Sequence, residues 1–269
     1  MYLLIFLFVF VLGTIIGSFL NVVIYRFNTG MTIVKGRSMC MTCSRHLRWY
    51  ELIPLFSFLI QKGKCRRCAS SISRQYPIVE FITGLMFALV AFKFLPILEI
   101  SYWSYILFVV FFVFIFSLLI VISVYDLRHK IIPDKLVFIF IFFSVLSIFI
   151  NQTPFGKLLT LPSLSHFIAG PIIALPFVLI WYFSKGRLMG LGDGKLIFGI
   201  GWVLGLMSGI CALILSFWLG TIISLVLMFF YRNKMNMKTE IPFAPFLITG
   251  TLIAFLYNID ILSLASIFN

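Results

Sequence analysis

The chain has 269 residues, of which 62% are hydrophobic and 33 are phenylalanine, with a mean hydropathy of +1.15. That composition excludes an ordinary water-soluble domain and predicts an all-α polytopic membrane protein, its length spent on segments of ~20 residues that each cross the bilayer. The 21 basic residues against eight acidic ones give a charge of +13, read first as a topology signal and then as attraction to anionic membrane lipid. No basic-aromatic binding pattern accompanies the charge, so nucleic acid is not an expected partner.

About eight transmembrane helices are predicted in chain order, at 2–25, 77–98, 103–125, 132–150, 166–183, 191–208, 210–231 and 242–260. The first lacks a basic leading region and a small-residue cleavage site, so residues 1–25 read as a retained transmembrane helix rather than a signal peptide. Within it, Gly13 and Gly17 permit close helix approach, and Ser18 and Asn21 share a face suited to packing. Residues 26–76 form a strongly basic loop in which Glu51 is the only acid, and Glu80 lies just inside the second run. The third run closes on Asp126. The fourth follows Pro133-Asp134, where a helix cap accounts for the acid and leaves it as support for a site. The sixth opens on Gly190-Leu191-Gly192-Asp193-Gly194, and Gly201, Gly205 and Gly209 repeat along it every four residues. Cys211, near the outer end of the seventh, is expected only to pack. Pro242 and Pro245 open the eighth as a helix start or as a wall for an extended peptide.

With Met1 outside, every basic residue except Lys93 and Lys157 falls on the inner side; Arg128, Lys130, Lys185, Lys195, Arg232, Lys234 and Lys238 all do so. The positive-inside rule then places both termini outside and the basic loop in the cytoplasm. It also brings Asp126 and Asp193 to one membrane face.

A carboxylate at membrane depth is costly and usually functional. Two that share a proton provide one group to take a proton from water and one to give a proton to a carbonyl oxygen or leaving amine. Peptide hydrolysis without a metal or covalent nucleophile has that requirement. Glycines beside Asp193 suit close approach of an extended substrate backbone. Structural alternatives exist for each acid: Asp193 as a helix cap, and Asp126 as a local partner of Arg128 or Lys130.

Cys40-Met41-Thr42-Cys43 and Cys65-Arg66-Arg67-Cys68 are paired CxxC knuckles in the basic loop. Four thiolates at this spacing suit tetrahedral Zn2+, and a reducing cytoplasm argues against two disulfides. A closed four-Cys zinc site, with ligands Cys40, Cys43, Cys65 and Cys68, would be structural and would hold a loop too polar to fold alone. His46 is a competing ligand, whereas His129 and His166 share no ligand spacing with it.

Gly17-Ser18-Phe19-Leu20-Asn21, the paired CxxC loop running on to Tyr76-Pro77-Ile78-Val79-Glu80, Asp126 with Pro133-Asp134, Gly190-Leu191-Gly192-Asp193, and Pro242-Phe243-Ala244-Pro245 together resemble the type IV prepilin leader peptidases. These are membrane aspartic proteases of the GxGD type in the bacterial inner membrane. The resemblance covers nearly the whole chain, departing at Met41, where proline is frequent, and at Ala244, where glycine is usual. It implies that residues 77–269 are a transmembrane aspartic peptidase core with Asp126 and Asp193 catalytic. Prepilins or pseudopilins would lose their basic leader after a glycine at the cytoplasmic face. The new N-terminus would then be methylated from S-adenosylmethionine. No glycine-rich nucleotide-binding turn is present, so the methyltransferase site is expected in the loop and adjoining helix ends, with Glu80 as its candidate residue. A buried partner for Arg74 or another basic residue of the loop is the other role open to Glu80. Two further functions fit fewer features: a proton-coupled transporter would use the aspartates, but no inverted repeat is visible, and a zinc-binding assembly protein would explain only the loop.

Overall fold

A computed structural model describes residues 2–34, 36–150, 161, 163–230 and 241–258. Lys157, Arg232, Lys234, Lys238 and the end of the eighth predicted run lie outside the described residues. Ten α-helices are described: α1 Tyr2–Arg26, α2 Phe56–Ile60, α3 Gln75–Lys93, α4 Leu95–Leu98, α5 Tyr102–His129, α6 Asp134–Ile148, α7 Leu164–Ser184, α8 Leu191–Leu204, α9 Leu206–Phe230 and α10 Ala244–Tyr257. Among the described residues there is no named strand.

Each apolar run is helical, the second divided between α3 and α4, but among the described residues five helices are long and apolar enough to cross a membrane: α1, α3, α5, α7 and α9. The protein is therefore a multi-pass membrane protein. Helices α6, α8 and α10 have 15, 14 and 14 residues. At ~1.5 Å per residue each is only about 21–23 Å long, short of the ~30 Å hydrocarbon core.

The chain divides into two compact units at Val121/Ile122, within α5. In the first, α1 packs along α3. A methyl group added at Gly13 would lie 2.7 Å from the Gly84 Cα, and one at Gly17 2.8 Å from the Glu80 Cα, so the predicted small-residue stripe sets the helix spacing. Asn21 Nδ2 donates to the Tyr76 carbonyl at 3.1 Å, and Tyr25 stacks on Tyr76 with ring centroids 5.0 Å apart. At the opposite end Tyr2 donates to Glu99 at 3.0 Å.

In the second unit α8 contacts α6, α7, α9 and α10. Gly201, Gly205 and Gly209 do not share one helix, contrary to the expectation from their spacing. Only Gly201 belongs to α8, where an added methyl would meet the Gly170 Cα of α7 at 2.8 Å. Gly205 ends the helix at φ +79°, a left-handed conformation that glycine adopts without a Cβ penalty. Gly209 belongs to α9 and faces Ile173. The sixth run therefore breaks at residue 204, and α8 is short because a turn interrupts its apolar sequence.

The basic loop also departs from expectation. It is not uniformly polar: Leu52 to Ile60 contains eight apolar residues and Ser57, and the chain there forms a short 3-10 helix, Trp49–Leu52, followed by α2.

Candidate active site and metal centre

Asp126 lies in the last turn of α5, and Asp193 in the first turn of α8. Both belong to the second unit. Asp126 is 5% exposed, and its Oδ2 accepts the Ala244 N–H at 3.4 Å. That donor is the first residue of α10, whose early N–H groups have no partner within the helix. Asp193 is half-buried and close enough to Asp126 for the two carboxyl groups to interact electrostatically. Two acids brought together at helix ends 67 positions apart can share one proton, with one accepting from water as the other donates.

Neither cap reading holds. Asp193 does not cap α8: Gly190 occupies the N-cap, without a side-chain hydrogen bond. Asp134 is not a cap either. Pro133 takes that position, and Asp134, its side chain 60% exposed, pairs with Lys195 Nζ at 2.7 Å. This ion pair joins the starts of α6 and α8.

The glycines around Asp193 have distinct surroundings. An added methyl at Gly192 would lie 2.8 Å from the branched Ile132 Cβ, whereas at Gly190 and Gly194 the nearest atoms are 3.9 and 3.6 Å away. Gly192 is thus committed to internal packing, which seats the start of α8 against the turn after α5. The sequence offered no sign of this, because Ile132 is 60 positions away.

In the loop, the sulfurs of Cys40, Cys43, Cys65 and Cys68 all lie within 4.8 Å of one another, and none is in a disulfide. The Cys40 and Cys68 sulfurs are 3.8 Å apart. Tetrahedral zinc with bonds of ~2.3 Å separates its sulfurs by about 3.8 Å, so the cluster fits the ion. Both knuckles are built alike. Ser44 N–H donates to the Cys40 carbonyl and Ala69 N–H to the Cys65 carbonyl, each at 2.9 Å, and Ser44 and Ala69 turn the chain at φ +52° and +55°. Flanking bridges pair Met39 with His46 and Lys64 with Ser71. His46 is outside the sulfur cluster, which removes it as a competing ligand.

The thiols are electrically unequal. N–H groups of Cys43 and Thr42 lower Cys40 to about 6. The Arg45 N–H would lower Cys43 too, but burial and the neighbouring thiols push it up to about 11. Burial alone would raise the Glu51 carboxyl; the Arg48 N–H and the Arg45 guanidinium outweigh it and hold the group below its ordinary range. Glu51 thereby ties Arg45, beside the first knuckle, to the 3-10 helix.

Glu80 is 6% exposed in α3. Its Oε2 accepts the Leu55 N–H at 2.8 Å, and Ser18 lies within hydrogen-bonding reach. Among the described residues no ion pair joins it to Arg74. His129 bonds Tyr125 and His166 bonds Ser163, both locally. Cys211 is fully buried in α9.

Residues 11–94 match the bacterial peptidase A24 N-terminal domain, and residues 113–225 match the type IV leader peptidase family. A prepilin leader peptidase/N-methyltransferase of Bacillus subtilis (strain 168) is 31% identical over 254 residues, covering 94% of this chain and 95% of that protein. One from Vibrio cholerae serotype O1 is 32% identical over 258 residues, covering 91% and 94%. One from Myxococcus xanthus is 52% identical over 80 residues, covering 30% and 24%. No solved structure matches the chain. The two domain matches, in order along the sequence, and relatives alike over almost their full length show that this chain belongs to the type IV leader peptidase family.

Proposed function

We propose that this enzyme is a membrane aspartic endopeptidase that removes the basic leader from type IV prepilins or pseudopilins at the cytoplasmic face, and then N-methylates the exposed residue. The observation that carries the reading is the electrostatic proximity of Asp126 and Asp193 at two helix ends of one compact unit. In the proposed reaction one ionised carboxylate takes a proton from water as the oxygen attacks the scissile carbonyl. The other, protonated, stabilises the developing oxyanion, and a proton is passed to the amide nitrogen as the C–N bond breaks. The Ala244 N–H fixes the Asp126 side chain during this exchange.

For the methyl-transfer half, the candidate is Glu80, whose carboxylate retains acceptor capacity beyond its Leu55 bond and could face a cationic sulfonium. S-adenosylmethionine would supply the methyl group. Zinc held by the four cysteines is proposed as a structural clamp, because a closed thiolate set leaves no open coordination position. The proposed setting is the bacterial inner membrane, with eight membrane segments, both termini outside, and anionic lipid offsetting repulsion between the basic loop and a basic leader.

Co-expression with candidate prepilins and intact-mass measurement of the product would read leader loss and methylation together. Asp126→Asn and Asp193→Asn are each expected to abolish cleavage while the protein still inserts. Full activity in either would exclude the dyad. For Glu80, the expected result of Glu80→Gln is a cleaved but unmethylated product.

A further inference from the structure

The loop between α1 and α3 contains an apolar element used by neither the aspartates nor the thiols. Trp49 is 78% exposed, and Phe56, Leu59 and Ile60 are 66, 69 and 69% exposed, large apolar side chains unfavourable to leave in water. Lys62, Lys64, Arg66 and Arg67 follow immediately. An apolar segment flanked by cations matches the chemistry of an anionic membrane interface.

One hydrogen bond ties this element to α3. Leu55, which precedes α2, donates to Glu80 Oε2 at 2.8 Å. Glu80 is the sixth residue of α3, one of the helices long and apolar enough to span a membrane. At ~1.5 Å per residue, its backbone lies about 7.5 Å along α3 from the first residue. The start of α2 is therefore latched below the end of a spanning helix, at a level where α3 itself exposes Ile78, Phe81 and Ile82. Leu55 takes φ +61° there, a strained conformation for leucine that persists only when its surroundings impose it.

We propose that Trp49 to Ile60 is an in-plane membrane anchor. Phe56, Leu59 and Ile60 enter the boundary between headgroups and acyl chains, the cations from Lys62 to Arg67 meet anionic headgroups, and the Glu80–Leu55 bond is the latch that sets the depth. The proposal requires α3 to cross a membrane but is independent of the peptidase reading, because its test measures no catalysis.

The full chain would be reconstituted in vesicles of phosphatidylethanolamine and phosphatidylglycerol, with photoreactive benzoylphenylalanine in place of Leu59, Ile60 or, as a lipid-facing reference, Phe8 of α1. Intact mass after illumination should show lipid adducts at positions 59 and 60 with yields within about threefold of position 8, the result expected for side chains at the acyl boundary. Glu80→Ala should lower the yields at 59 and 60 but not at 8, whereas Glu80→Gln, which keeps an acceptor for Leu55, should retain them. Labelling at 8 without labelling at 59 and 60 would overturn the anchor, as would adducts to a second copy of the chain instead of lipid. Unchanged yields in Glu80→Ala would overturn the latch. If that variant fails to accumulate, the probes in the otherwise unaltered chain still decide whether the segment meets lipid.

Discussion

The thiol cluster and the carboxylate pair are both compact groups of ionisable side chains, yet they are positioned by opposite means. Each knuckle is shaped by bonds spanning a few residues, such as Cys40 N–H to the Arg45 carbonyl at 3.0 Å and Ser44 N–H to the Cys40 carbonyl at 2.9 Å. The aspartates depend on helix packing: Gly192 against Ile132, Gly201 against Gly170, and Ala244 against Asp126. Short-range turns can hold geometry while helices shift, whereas the dyad changes whenever α5, α8 or α10 moves at its end. The comparison predicts that damage to one centre should leave the chemistry of the other readable.

The largest separation should come from Asp193→Asn. Loss of a general acid or base typically costs about 10²–10⁴-fold in rate, and zinc content should remain unchanged. The reciprocal variant, Cys40→Ser with Cys65→Ser, should lose bound zinc by elemental analysis, and normal zinc content would rule out the site. Gly192→Ala should be more moderate. Crowding Ile132 should destabilise the second unit by about 1–3 kcal/mol and reduce cleavage, whereas Gly190→Ala, whose Cβ would meet nothing nearer than Asp193 Oδ2 at 3.9 Å, should retain activity. Normal cleavage by Gly192→Ala would break the claim that packing sets the dyad.

Alkylation supplies a finer contrast within the metal-free loop. With Cys40 lowered to about 6 and Cys43 raised to about 11, Cys40 is the thiolate at neutral pH and should react first. Its reactivity should be present above about 6 and fall as pH drops through that value. Equal labelling of the two cysteines would show that the backbone donors do not separate them. The smallest effect belongs to Asp134→Asn: its exposed pair with Lys195 should contribute about 0–1 kcal/mol, and cleavage should change little.

The same division explains what the sequence made legible. CxxC spacing encodes a local turn, so both knuckles were visible without knowledge of the fold. Apolar runs gave every major helix, since burial in lipid selects composition directly. Gly205 was misread because periodicity alone does not distinguish a packing glycine inside a helix from one that ends it. Asp134 looked like a cap because its true partner, Lys195, is 61 positions away. The apolar stretch before Ile60 was overlooked: it is too short to cross a bilayer and is surrounded by loop charges. Proximity of Asp126 to Asp193 was an expectation from topology, and the packing that supports it was invisible.

Ser44 and Ala69 have a further consequence. Both occupy left-handed positions where glycine would be less strained. A side chain disfavours positive φ, so the free chain does not favour either turn, and each is held by its bond to a cysteine carbonyl, Ser44 to Cys40 and Ala69 to Cys65. Glycine at either position should therefore ease the turn rather than loosen the sulfur cluster.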